Sequence, residues 1–235
     1  RRSRRPSRMN LKVESLTLSN LAENKTATLR KPSSTRPALY RIEEGDARAV
    51  VKDFSVNGRV FRNLIGRFLI WREKKAYRRL KGLKGVPALY GVVGGLALVL
   101  EEIQGRSIEG IDRKERLPVQ FFEALRDLVE RVHRRGLCHC DLKRAANVLV
   151  GDDGRPYLID WSAAILEREF RFFPARLIYK RFLVDDRHAV IKLQLRHCPE
   201  AVDPEDLRRY QNRSLAERAV RKLRDRARGL LQKVA

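Results

Sequence analysis

At 235 residues the chain is long enough for one large domain or two small lobes with a real core, and 43% hydrophobic content excludes a disordered chain. The 52 Lys and Arg against 29 Asp and Glu give a net charge of +23, a field that attracts nucleic acid, anionic membranes or acidic substrates without choosing among them. Three cysteines exclude a disulfide framework and fit a reducing compartment, no apolar run reaches the ~18 residues of a membrane span, and the basic stretch Arg1–Arg8 lacks the apolar segment of a secretory signal. The chain opens on Arg, with Met9 a candidate initiator.

Residues 1–20 read as a basic, weakly ordered tail, 21–104 as a strand-rich lobe and 105–235 as a mainly helical lobe. Alternation gives strands over Ala27–Arg30, Ala38–Ile42 and Arg48–Phe54, with Lys31–Pro37 as the first connection and Glu43–Asp46 as a hairpin turn. A helix is expected over Arg59–Lys81, where Phe61, Leu64, Ile65, Phe68, Leu69, Ala76, Tyr77 and Leu80 recur at spacings of three and four and Gly82 and Gly85 close the run. Val86–Tyr90 and Leu96–Glu101 complete five strands. Pro118 opens a second helix with Phe121, Leu125, Leu128, Val129 and Val132 on its apolar face, ended by Gly136. Strands follow at Val148–Val150 and Tyr157–Ile159, and everything beyond Ala163 reads as helical, with Asp203-Pro204-Glu205-Asp206 a helix start.

Three places carry chemistry. Between Arg59 and Lys84 stand ten basic residues and one acid, Glu73. Glu73 lies four residues after Leu69 and four before Tyr77, on the apolar face, so its carboxylate needs a cation. Lys52, in the middle of the strand Ala49–Phe54, is the natural partner; i,i+4 pairing with basic neighbours is the plainer alternative. The second place is His139-Cys140-Asp141-Leu142-Lys143 with Asn147: a carboxylate able to accept a hydroxyl proton, a lysine able to neutralise a transferring phosphoryl group, and an amide oxygen for Mg²⁺. The third is Asp160, at the end of an apolar strand, placed as a metal-holding carboxylate. Cys138-His139-Cys140 has only His197 and Cys198 as distant partners, so a zinc site is disfavoured.

In this order and spacing the residues resemble the protein-kinase-like superfamily. Ala49-Val50-Val51-Lys52 stands where that superfamily has its strand lysine, Glu73 for the helix glutamate, His139–Lys143 for the catalytic loop and Ile159-Asp160-Trp161-Ser162 for the metal-binding segment. The resemblance implies an α+β, two-lobed protein-kinase-like fold: a five-stranded antiparallel N-lobe sheet with one helix, and a mainly helical C-lobe. The nearest look is to RIO-like kinases and to lipopolysaccharide-core (Kdo/heptose) kinases. Departures are visible. Asn147 lies six residues after Asp141, one more than usual, and no G-x-G-x-x-G joins the first two strands, so Ser33 and Ser34 would have to contact phosphate. Cys198-Pro199-Glu200 resembles A-P-E only as a coincidental helix start.

The resemblance implies ATP and Mg²⁺ as cofactors and a phosphotransferase acting on an alcohol group. Lys52, oriented by Glu73, binds the α/β-phosphates; Asn147 and Asp160 hold Mg²⁺; Asp141 is the base and Lys143 stabilises charge. Backbone groups at Glu101 and Ile103 serve adenine. The acceptor is a protein Ser/Thr hydroxyl or, alternatively, a lipid-linked sugar at an anionic membrane, because Phe170–Val184 holds five aromatics and four basic residues with no acid and Leu207–Ala235 is a basic amphipathic helix. A cytoplasmic protein, with peripheral contact to the inner membrane face in the second case, is expected. A pseudokinase or nucleic-acid-binding module is the remaining alternative, and no nucleic-acid motif supports it.

Overall fold

The computed structural model describes residues 16–44, 47–112 and 115–211. Residues 1–15 of the tail expected over 1–20, the expected hairpin tip Gly45-Asp46 and the helix expected beyond Gln211 lie outside the described residues. The chain divides into two compact units, one running to Gln104 and including Ile159–Ser162, the other holding Gly105–Leu158 and the chain from Ala163.

In the first unit β1 (Lys25–Arg30), β2 (Ala38–Glu44), β3 (Ala47–Asp53), β4 (Leu89–Val93) and β5 (Ala97–Glu101) form one antiparallel sheet in the order β1-β2-β3-β5-β4. The strands stand within three residues of their expected ends, and β3 is central. Side chains alternate across a strand. Ala49 and Val51 therefore enter a core with Tyr40, Ile42, Val99 and Leu21, while Lys52 takes the other face. Leu21 comes from α1 (Leu18–Glu23), an element the sequence reading missed; Thr17 caps it by accepting the Asn20 N–H at 3.2 Å.

The long helix expected over Arg59–Lys81 is not continuous. α2 (Arg59–Phe61) passes through a π turn, Arg62–Gly66, into α3 (Arg67–Arg79). A π turn inserts a residue and rotates the downstream face. Gly66 sits in it because a Cβ there would approach Phe54 Cβ to 3.1 Å. The rotation corrects the expected apolar face: Ile70, Glu73, Ala76, Tyr77 and Leu80 turn inward, whereas Leu64, Ile65 and Phe68 are exposed.

The second unit holds a three-stranded sheet, β6 (Gly105–Ser107), β8 (Val148–Gly151) and β9 (Pro156–Leu158), in the order β6-β8-β9. Gly105 is required there, since a Cβ would stand 2.2 Å from the Val150 carbonyl oxygen. α4 (Val119–Arg134) buries Phe121, Phe122, Leu125, Leu128, Val129 and Val132, and Arg187 of α5 (Ala175–His197) reaches back to its Glu130 at 2.6 and 3.0 Å. The region after Ala163 is not helical throughout. β10 (Ile165–Leu166) pairs with β7 (Leu137–Cys138), giving that buried strand a backbone partner, and a 3₁₀ turn at Glu167–Phe170 follows. Pro199–Ala201 is a 3₁₀ turn, and α6 (Pro204–Gln211) starts as expected, with Asp203 Oδ1 accepting the N–H groups of Glu205 and Asp206 at 2.8 and 3.1 Å.

The fold class is thus α+β, with a five-stranded antiparallel sheet toward the N-terminus and a mainly helical C-terminal part, as the sequence reading expected. Among the described residues no helix is long and apolar enough to cross a membrane.

Candidate active site

In the first unit three charged residues far apart in sequence meet. Lys52 Nζ donates to Glu73 Oε2 at 2.7 Å and to Asp160 Oδ1 at 2.8 Å. Ser162 Oγ donates to the same Oδ1 at 2.7 Å. Glu73 is fully buried, and the backbone amide of Trp161 also reaches its carboxylate. The helix glutamate therefore pairs with the strand lysine rather than with its basic helical neighbours. Burial pulls the Lys52 ammonium toward neutrality, but the charges of Glu73 and Asp160 outweigh it and hold its pKa above the ordinary value. Burial pushes the Glu73 carboxyl the other way, against the opposing pull of Lys52. With two carboxylates around one ammonium, the ion-paired state is the one the geometry supports.

Asp160 follows β9 with φ at 61°, in the left-handed region that disfavours non-glycine residues. Its carboxylate lies 29% exposed, so one side of this charge cluster reaches solvent.

In the second unit the segment after β7 carries Asp141, Lys143 and Asn147. Asp141 is buried to 8% exposure. Asn147 Nδ2 donates to the Asp141 carbonyl at 3.0 Å and to its Oδ2 at 3.3 Å, and Arg144 Nη1 stands 3.7 Å from Oδ2. Lys143 is half-buried beside them in sequence. Cys140, directly before Asp141, is the other non-glycine residue with positive φ among the described residues, at 65°.

Sequence reasoning missed the residue that holds this segment. Asp186, buried in α5, accepts the N–H of His139 at 2.7 Å on Oδ2 and that of Cys140 at 3.0 Å on Oδ1, together with the Cys138 thiol at 2.9 Å. His133 Nε2 lies 3.3 Å from it. Burial alone would raise its pKa, yet the His133 hydrogen bond, the nearby His139 and the Cys138 thiol bring it below the ordinary carboxylate value. The signal was present: Asp185 and Asp186 are the only acids between Arg171 and Pro199. Asp185 pairs with Arg181 on its own helix at 3.0 Å, which leaves Asp186 to turn inward. His133, Cys138 and Asp186 place ligand atoms within 4.8 Å of one another. The carboxylate already serves three donors from the chain, so the cluster is a structural hub, and it differs from the cysteine–histidine set weighed on the sequence.

The expected nucleotide contacts in the first unit fare differently. Ser33 and Ser34 lie exposed in a turn where the Ser33 N–H donates to the Arg36 carbonyl at 3.1 Å, which engages that amide within the turn. Asn57 Nδ2, another residue missed on the sequence, gathers this turn by donating to the carbonyls of Ser33 at 2.7 Å and Arg36 at 3.1 Å. The Glu101 N–H donates to the Ala88 carbonyl at 2.8 Å, which removes that amide from the expected pair at Glu101 and Ile103.

Residues 44–172, more than half of the chain, match the family model described as RIO domain. The chain belongs to the RIO domain family. That places it in the protein-kinase-like superfamily, among atypical kinase-like, ATP-binding phosphotransferases. A comparison with curated proteins finds none that matches. The matched span of the RIO domain contains Lys52, Glu73, Asp141, Lys143, Asn147 and Asp160; Ser33, Ser34, Asn57's turn partners and Asp186 fall outside it.

Proposed function

We propose that this RIO domain transfers the γ-phosphoryl group of ATP to an acceptor hydroxyl, with the roles divided among the residues described. The observation that carries the reading is the bond from Lys52 to Glu73 and Asp160 together. A buried ammonium tied to a helix carboxylate and to a second, partly exposed carboxylate is an arrangement suited to phosphates and a divalent cation. Lys52 binds the α- and β-phosphates and Glu73 fixes its direction. The hydroxyls of Ser33 and Ser34 contact phosphate, and the Glu101 carbonyl and the Ile103 backbone serve adenine.

Asp160 and Asn147 offer carboxylate and carboxamide oxygens, the hard donors that Mg²⁺ takes, and Asn147 engages the loop through its nitrogen rather than its oxygen. When bound, Mg²⁺ supplies charge neutralisation on the β- and γ-phosphate oxygens. Asp141 accepts the acceptor's hydroxyl proton as the new O–P bond forms and the bond to the β-phosphate oxygen breaks, and Lys143 stabilises the charge that develops.

For the acceptor, a protein Ser/Thr hydroxyl is the first reading, with the protein in the cytoplasm. A second, a lipid-linked core sugar at an anionic membrane surface, is favoured by one observation. Phe170–Val184 splits in two: Phe170 packs on Tyr179 and Phe182, while Phe172, Phe173, Leu177 and Ile178 are exposed beside Arg171 and Arg176.

Mg²⁺-ATP should raise the unfolding temperature, and ³²P should pass from γ-labelled ATP to a generic protein substrate on the first reading or to a core-sugar lipid on the second. Asp141→Ala should abolish transfer and keep nucleotide binding. Turnover retained in that variant removes Asp141 from its role, and absence of nucleotide binding by the wild-type chain ends the reading.

A further inference from the structure

The π turn gives the helix of the first unit two opposite apolar lines where an ordinary surface helix has one. Gly66, Ile70, Glu73, Tyr77 and Leu80 face inward. Leu64, Phe68, Trp71, Lys75 and Arg78 follow one another at four, three, four and three residues, the spacing of a single helix face. Leu64 is 68% exposed, Phe68 51% and Trp71 53%, and Val60, 75% exposed, precedes them in α2. The rings of Phe68 and Trp71 stack at 6.0 Å between centroids. Arg72 lies over Phe68 at 5.8 Å and Lys75 over Trp71 at 4.8 Å.

Charge decides what this face fits. From Arg59 to Lys84 ten cations accompany one carboxylate, and that carboxylate, Glu73, is buried against Lys52. The outward surface of the segment is therefore apolar and cationic with no acid of its own. A second copy of the chain, at net charge +23, would bring cations against cations. Nucleic acid would use the cations and the rings but gains nothing from Val60 and Leu64. A bilayer interface uses all of them: aliphatic and aromatic side chains enter the acyl boundary while Arg and Lys reach anionic headgroups.

We propose that α2, the π turn and α3 form a docking face for anionic lipid membranes, with Val60, Leu64, Phe68 and Trp71 inserted in the interface and Lys75 and Arg78 on headgroup phosphates. The face belongs to the first unit, and the exposed Phe172–Phe173 segment belongs to the second. It also stands apart from the phosphotransferase assignment, because binding is read without ATP or acceptor.

The chain has two tryptophans, and Trp161 is fully buried, so Trp71 is a built-in reporter. With phosphatidylcholine vesicles containing phosphatidylglycerol, emission should shift to the blue and be quenched by brominated acyl chains; pure phosphatidylcholine should give neither. Co-sedimentation with the anionic vesicles should fall about tenfold or more for Phe68→Ser/Trp71→Ser and for Lys75→Glu/Arg78→Glu, and little for Phe172→Ser/Phe173→Ser. All six side chains are at the surface or half-buried, so unfolding temperatures near wild type should accompany these losses. Equal binding to neutral vesicles, unchanged binding of both helix variants, or a loss confined to Phe172→Ser/Phe173→Ser overturns the proposal. So does RNA that displaces the protein from vesicles and is itself lost by the helix variants, an outcome that assigns the face to nucleic acid.

Discussion

Asn147 Nδ2 donates to the backbone carbonyl of Asp141 at 3.0 Å although six residues separate the two. A 3₁₀ turn over Ala145–Asn147 takes up the extra length: the Arg144 N–H returns to the Asp141 carbonyl at 3.3 Å and the Asn147 N–H to the Arg144 carbonyl at 3.0 Å. The unusual spacing therefore does not separate the pair. Asn147→Asp keeps an oxygen for a metal but removes the donor and sets a second carboxylate beside Asp141. It should cost about 1–2 kcal/mol of stability without nucleotide, read by denaturant unfolding. An unchanged unfolding midpoint would mean that the side chain does not hold the loop.

Lys52 and Glu73 separate stability from activity. Lys52→Met leaves a fully buried carboxylate without its cation and should destabilise by about 3–5 kcal/mol. Adding Glu73→Leu should restore most of that loss, because an apolar pair of similar size fills the space, while phosphoryl transfer stays absent. The lysine's raised pKa adds a pH dependence. Its folded value lies above the unfolded one, so its contribution is complete below the unfolded value near ~10.4 and disappears as pH rises through the folded value. Alkaline unfolding of wild type but not of the double variant above about pH 10.5 is the expected comparison.

Asp186 predicts the opposite limb. Its folded pKa is lowered, so the stability it contributes is present above the unfolded value of about 3.9 and is lost as pH falls through the folded value. Asp186→Asn should lose about 2 kcal/mol or more at neutral pH, since an amide offers one oxygen to donors that now share two. It should also flatten the acid side of the stability profile. Guanidinium unfolding from pH 7 to pH 3 measures both.

Cys140 carries backbone strain next to Asp141. At φ 65° glycine is comfortable and a β-branched residue is not. Cys140→Gly should leave stability within about 1 kcal/mol of wild type, whereas Cys140→Val should lower it by about 2 kcal/mol or more. Calorimetric melting of the two variants tests the difference. Equal effects would mean the loop relaxes freely around residue 140.

The strands and the apolar face of α4 were legible in the sequence because alternation and three-four spacing survive wherever an element is regular. So was the pairing of Glu73 with Lys52, since a lone acid on a basic helix has few places to go. The face of the helix after Arg59 was misjudged: Phe68 and Leu64 obey helical spacing, but the π turn rotates them away from the sheet. α1 has six residues, too few to show a period, though Thr17 and the Leu18–Leu21 spacing marked it. Asp186 and Asn57 act on backbone groups as far as 47 and 24 residues away, and a hydrogen bond to a distant main chain leaves no pattern in composition or spacing.

The strand order sets a practical boundary for anyone cloning this protein. A fragment trimmed to the recognised span, 44–172, would retain every candidate residue from Lys52 to Asp160 and yet discard β1 and nearly all of β2. The ladder from Ala38–Asp53 to Glu43–Arg48 would be gone, turning the middle strand of the sheet into a bare rim that invites aggregation. Leu21 and Asp186, the side chains that seal the core and anchor the Asp141 segment, would leave with the two trimmed ends.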